Sequence, residues 1–169
     1  MTIQNCISED VATIYRLYED ARLFQTSKKM VVWPYFDKRF IERGIFEKRQ
    51  WKIVVDGEIT CTWTITFNDK EIWGSRDNDD AIYIHRIATN PKYRGNNYVR
   101  TIVDWARIYA VNNKRKYIRL DTLGNNTKLI QYYTKSGFTF LGIEKLMNTQ
   151  GLPQHYHKEP NCCRFEIEI

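Results

Sequence analysis

Apolar positions change their period several times along the chain, and each change marks an element. After a short stretch at Thr2 to Cys6 that reads as a strand, Ser8-Glu9-Asp10 offers helix-capping side chains. Val11, Ile14, Tyr15 and Tyr18 then recur at helical spacing, which predicts a helix over about 9–24. Pro34 suits a first helical turn, Phe36, Phe40 and Ile41 share a face, and Gly44 is the expected stop. From Trp51 the pattern turns β-rich: Trp51 to Val55, an Asp56-Gly57 hairpin turn, then Ile59 to Phe67. The polar runs Asn68 to Lys70 and Gly74 to Asp80 read as loops. A third β run, Ala81 to Thr89, ends at Asn90-Pro91, because proline cannot donate to a ladder.

Beyond Gly95, residues Val99, Ile102, Val103, Ala106 and Ala110 form the stripe of a helix over 98–112. Lys116 to Thr122 returns to strand. Asn125-Asn126-Thr127 can cap another helix carrying Leu129, Ile130 and Tyr133, which Gly137 closes. Phe138 to Ile143 and Arg164 to Ile169 supply two last strands. The order predicts one α/β domain over 1–169 with helices on both faces of a sheet.

Composition narrows the classes without choosing among them. With 43% hydrophobic and 27% charged residues the chain is of globular type. Its net charge of +6 favours an anionic ligand, but Lys114, Arg115 and Lys116 sit at a helix end, where cations complement the dipole, so no nucleic-acid partner is expected. Cys6, Cys61, Cys162 and Cys163 lack disulfide-framework or CxxC spacing, and with His155 and His157 they match no standard zinc pattern; no metal is expected. The first ten residues lack the basic and apolar regions of a signal peptide, and no run is long enough for a membrane span. A cytoplasmic protein with no membrane partner is the expectation.

Chemistry concentrates in the stretch Ile82 to Val99, where a strand passes through a loop with one glycine and two asparagines into a helix N-terminus. Unpaired N–H groups at such an end attract phosphate, and Gly95, Asn96 and Asn97 are the residue types that most easily take the positive φ of an N–H nest. Taken alone, the junction is as well explained by a simple turn.

The run Tyr93-Arg94-Gly95-Asn96-Asn97-Tyr98-Val99 resembles the pyrophosphate loop of the GNAT superfamily of N-acetyltransferases, Q/R-x-x-G-x-G/A, with Arg94 in first position. Asn126, Tyr133 and Gly137-Phe138 resemble that family's second signature, in the right order. The resemblance spans nearly the whole chain and implies a mixed, mostly antiparallel central sheet with helices on both faces. It departs at Asn97, the usual second glycine, and at Val99, where the family keeps a small residue.

The resemblance implies direct transfer of an acetyl or short acyl group from acetyl-CoA, as co-substrate, to a primary amine in a ternary complex. Ile87, Ala88 and Thr89 would pair with pantetheine. Arg94, Gly95, Asn96, Asn97, Tyr98, Val99 and Arg100 would cradle the pyrophosphate, and Asn126 would touch the cofactor. Tyr133 would protonate the leaving thiolate, unless it serves only the core. His85, in a stretch similar to the His-containing strand of arylalkylamine acetyltransferases, is the candidate base, with Asp79 and Asp80 as alternatives. The acceptor, a small amine or a peptide amine, has no diagnostic motif, and oligomeric state is open, a homodimer included. The rival reading is a non-catalytic acyl-CoA sensor, for which Val99 speaks.

Overall fold

A computed structural model describes residues 1–78 and 80–169. Two compact units are built from interleaved parts of the chain, one from 1–65 and 85–98, the other from 66–84 and 99–169. Among the described residues there are seven strands and six α-helices, in a mixed and mostly antiparallel α/β arrangement.

In the first unit, β1 (Thr2–Asn5) pairs antiparallel with β2 (Gln50–Val55), and β2 with β3 (Glu58–Thr66). The β2–β3 turn is the expected one: Asp56 and Gly57 both take positive φ, 49° and 79°, as a two-residue hairpin of matching twist requires. The second half of β4 (Ala81–Thr89) lies beside β3, where Asn90 N donates to Thr60 O at 2.9 Å. Helix α1 (Val11–Ser27) buries Val11, Ile14, Leu17 and Tyr18 with Cys6, Ile41 and Ala88.

Helix α2 (Lys38–Phe46) corrects two sequence expectations. It begins at Asp37, whose carboxylate accepts from Phe40 N at 2.8 Å, and not at Pro34. It also runs through Gly44, which is buried beside Gln50 and does not terminate the helix. The turn that ends α2 puts Lys48 at φ 54°.

The first unit hides one ion pair, Lys52 Nζ to Asp10 Oδ2 at 2.5 Å, with the side chains only 8% and 12% exposed. The same oxygen accepts from Ile7 N at 2.8 Å, fixing the entry into α1. Because removing one partner strands a buried charge, Asp10→Ala is expected to cost about 3–5 kcal/mol in urea unfolding. Asp10→Ala with Lys52→Met should recover part of that loss. A single variant within 1 kcal/mol of wild type would show that the pair is solvated.

In the second unit, Ala81–Tyr83 of β4 run parallel to Tyr117–Arg119 of β5 (Tyr117–Leu123). Beyond β5 come β7 (Asn161–Glu168) and β6 (Thr139–Lys145), all antiparallel neighbours. Helix α4 (Tyr98–Asn112) presents the predicted stripe, with Val99, Ile102, Val103, Ala106 and Ala110 all buried. Between the expected loops 68–70 and 74–80, and running into both, stand α3 (Lys70–Trp73) and a following 3-10 turn (Gly74–Arg76), because Ile72 and Trp73 anchor a core with Ala81, Tyr83, Leu146 and Cys162. A short α6 (Gln154–Lys158) precedes β7, which starts three residues earlier than the sequence pattern suggested.

Arg119 is the polar hub of this unit. Nearly fully buried, it donates to Glu166 Oε2 at 2.8 Å, to Arg76 O at 2.6 Å and to the Tyr83 hydroxyl at 3.2 Å. Its guanidinium also stacks on Trp73 and Tyr117, so packing and charge hold the same side chain.

Candidate active site

The expected pantetheine strand, Ile87 to Thr89, belongs to the first unit and leads through a 3-10 turn (Pro91–Tyr93) into the expected phosphate loop. The turn is fastened to β3: Lys92 Nζ lies 3.1 Å from Glu58, and Tyr93 OH donates to Glu58 Oε2 at 2.7 Å. Both contacts hold the Glu58 carboxyl below its usual range, Tyr93 being the larger cause. Asn90 caps the turn by accepting from Lys92 N.

Gly95 has φ 90° and Asn97 φ 54°. Gly95 and Asn97 thus take the left-handed conformations expected from their residue types, asparagine being among the few non-glycine residues that tolerate them, whereas Asn96 does not take the positive φ expected of it. A Cβ on Gly95 would meet nothing within 4 Å, so the demand for glycine there is conformational. Residues 94–97 are all exposed, and α4 begins directly after them with first-turn N–H groups that have no intrahelical acceptor. Such an exposed loop and helix start fits a pyrophosphate. Arg94 stands at its edge, its guanidinium 4.2 Å from the Phe24 ring centroid and 3.5 Å from Asp20 O. Asn96 folds back, donating to Tyr93 O at 2.8 Å.

Tyr98 and Val99 are buried, 7% and 5% exposed. The Val99 side chain, at the position where the family keeps a small residue, is part of the packed stripe of α4. Arg100, in the second unit, is exposed and ion-paired with Asp104 at 3.4 Å.

His85 is partly buried, and its carbonyl accepts from Thr64 Oγ1 at 3.3 Å. Burial first, then the charges of Arg86 and Arg49, push its pKa down to about 3. Against the ordinary imidazole value of 6.5, this makes the candidate base neutral and only weakly basic at neutral pH. Next to it, Arg86 takes φ 53° inside the strand, a left-handed kink that nothing in the local sequence signals.

Of the alternative bases, Asp80 is ion-paired with Arg119 at 3.6 Å, which assigns it to the structural hub. Asp79 lies outside the described residues.

Tyr133 projects from α5 (Thr127–Lys135) in the second unit. It is partly exposed, with its ring against Phe165 at 5.2 Å and edge-on to Phe138 at 6.0 Å. The turn behind it is set by Gly137 at φ 108° and by Phe138 N donating to Tyr133 O at 3.2 Å. Asn126 caps α5, its Oδ1 accepting from Leu129 N at 3.1 Å, so the oxygen expected to reach a cofactor already has a structural task.

Residues 12–138, three quarters of the chain, match the acetyltransferase (GNAT) family. The chain belongs to the GNAT family. An uncharacterized N-acetyltransferase of Bacillus subtilis, YesJ, is 26% identical over 76 residues, covering 45% of this chain and 42% of its own. A streptothricin acetyltransferase of Escherichia coli is 29% identical over 82 residues, covering 46% and 47%. The match thus spans less than half the length of these curated relatives. A GNAT-family structure from Listeria monocytogenes superimposes with TM-score 0.79 at 20% identity, covering 99% of this chain and 94% of the other. The acetyl-CoA complex of yncA from Salmonella typhimurium does so with TM-score 0.70 at 14% identity, covering 99% and 93%. These likenesses show the GNAT fold. Among the described residues no helix is long and apolar enough to cross a membrane.

Proposed function

We propose that this GNAT protein transfers an acetyl group from acetyl-CoA directly to a primary amine. The observation that supports it most is the exposed loop 94–97 at the start of α4, with left-handed Gly95 and Asn97. Acetyl-CoA supplies the acyl group as an activated thioester. The loop N–H groups and the guanidinium of Arg94 would hold its pyrophosphate, and the backbone of Ile87, Ala88 and Thr89 would pair with the pantetheine amides. The Tyr133 hydroxyl would give its proton to sulfur as the C–S bond breaks, while the amine nitrogen forms the new C–N bond and loses its proton. His85 stays neutral and offers a hydrogen bond to that nitrogen or to a water; the amine's proton leaves to solvent, from which the Tyr133 phenolate regains one.

Calorimetric titration of the folded protein with acetyl-CoA tests the reading, and saturable heat is expected. Gly95→Ala, which forces a Cβ into left-handed backbone, should weaken binding about tenfold. Absence of heat with wild type would refute the acyl-CoA reading, and an unchanged Gly95→Ala would move the site elsewhere.

A further inference from the structure

Arg86 is unusual in three respects, all within the first unit. It is a non-glycine residue held at φ 53° in the middle of a strand, a costly conformation that persists only where its surroundings over-determine it. Its guanidinium lies 4.9 Å from the Phe40 ring centroid and 5.9 Å from that of Phe36, two rings stacked 5.1 Å apart. Among the described residues no carboxylate pairs with it, and its buried Nε has no hydrogen-bond partner.

The two basic side chains that are buried outright are paired with carboxylates: Lys52 has Asp10, and Arg119 has Glu166 and Asp80. Burial pushes the Tyr18 phenol up, while the Arg86 charge and a hydrogen bond between the two side chains oppose it, so part of the guanidinium is already engaged with the adjoining core. Stacking on ring faces occupies the flat sides of a guanidinium and leaves the in-plane N–H donors not engaged with Tyr18, the buried Nε among them, to an acceptor of matching geometry. Phe40 is 39% exposed and Arg86 itself is partly exposed, so that acceptor can arrive from solvent.

Resting on the acetyltransfer reading, we propose that Arg86 recognises an oxyanion carried by the acceptor, a carboxylate held by the guanidinium fork, so that the preferred substrates are amino acids and not simple amines. The pair would be a charge-assisted, bidentate contact between aromatic walls. Phe36 and Phe40 then fix the orientation of the guanidinium that reads the acceptor.

The test uses thiol release from acetyl-CoA with free α-amino acids, each against its own carboxamide and its aminophosphonate analogue, for wild type, Arg86→Lys and Arg86→Gln. Wild type should favour at least one acid over its amide by about 10²-fold in kcat/KM, the loss typical when one partner of a desolvated charge pair is removed. Arg86→Gln should bring that ratio close to one while the amide rate and the KM for acetyl-CoA stay put. Arg86→Lys should fall between, and thermal melts should show all three folded. A phosphonate that matches the carboxylate would make the reader general for oxyanions, which supports the proposal. Equal rates for acid and amide in wild type, a ratio that survives Arg86→Gln, or acetylation of uncharged amines alone would overturn it while leaving acetyltransfer intact. If no amine is acetylated, acetyltransfer fails, and tryptophan-fluorescence titration with the same free amino acids decides the arginine site. A saturable change lost in Arg86→Gln supports it, and no change in wild type overturns it.

Discussion

Tyr133→Phe is expected to lower kcat by about 10²- to 10⁴-fold, the range for removing a positioned general acid, with little change in the affinity for acetyl-CoA. The substitution deletes one oxygen and keeps the ring, so the contacts with Phe165 and Phe138 that seat the side chain survive. The stability of α5 should therefore be close to wild type. Steady-state kinetics with one acceptor, together with calorimetry, separates the two roles. A packing role alone predicts full activity, and a loss confined to KM for acetyl-CoA would make Tyr133 a binding residue.

The second large effect concerns acid stability and His85. Its folded-state pKa of about 3 lies below the ordinary value of 6.5. Between those values the unfolded chain takes up a proton that the folded chain refuses, so stability is full above about pH 6.5 and is lost as pH falls toward 3. From pH 7 to pH 4 the loss from this one group is about 3 kcal/mol. His85→Gln cannot titrate, and its unfolding free energy should decline by that much less over the same interval. His155, pushed by burial down to about 4, adds a smaller limb of the same sign that the variant retains. In activity, the neutral imidazole predicts a kcat/KM profile between pH 6 and 8 shared by wild type and variant, set by the acceptor amine. A limb near pH 6.5 that disappears in His85→Gln would show that the imidazole is solvated and titrates during turnover.

What could be read from the sequence depended on whether a residue's conformation is dictated locally. The α4 stripe, the Asp56-Gly57 turn and left-handed Asn97 follow from spacing or from residue type, and they stand as expected. The loop readings 68–70 and 74–80 missed the helical turns that run into them, because two apolar residues between them, Ile72 and Trp73, suffice to anchor such a turn when distant strands supply the other side. The α6 turn was hidden in the same way. The kink at Arg86 has no residue-type signal, since arginine gains nothing from left-handed backbone. The pKa of His85 was equally illegible: an imidazole in Ile-His-Arg-Ile titrates normally until folding buries it beside two guanidinium groups.

The four cysteines have a practical consequence for any of these experiments. All are free and buried, and burial pushes every thiol up, Cys6 and Cys61 to about 12. Disulfide exchange proceeds through the thiolate and requires access, so a chromogenic disulfide added to the folded protein reacts first with liberated coenzyme thiol and leaves the protein silent. The same reagent becomes a clock once turnover is absent. Cys6 and Cys61 lie in the first unit, Cys162 and Cys163 in the second, and the rate at which each pair is labelled times the opening of its own unit.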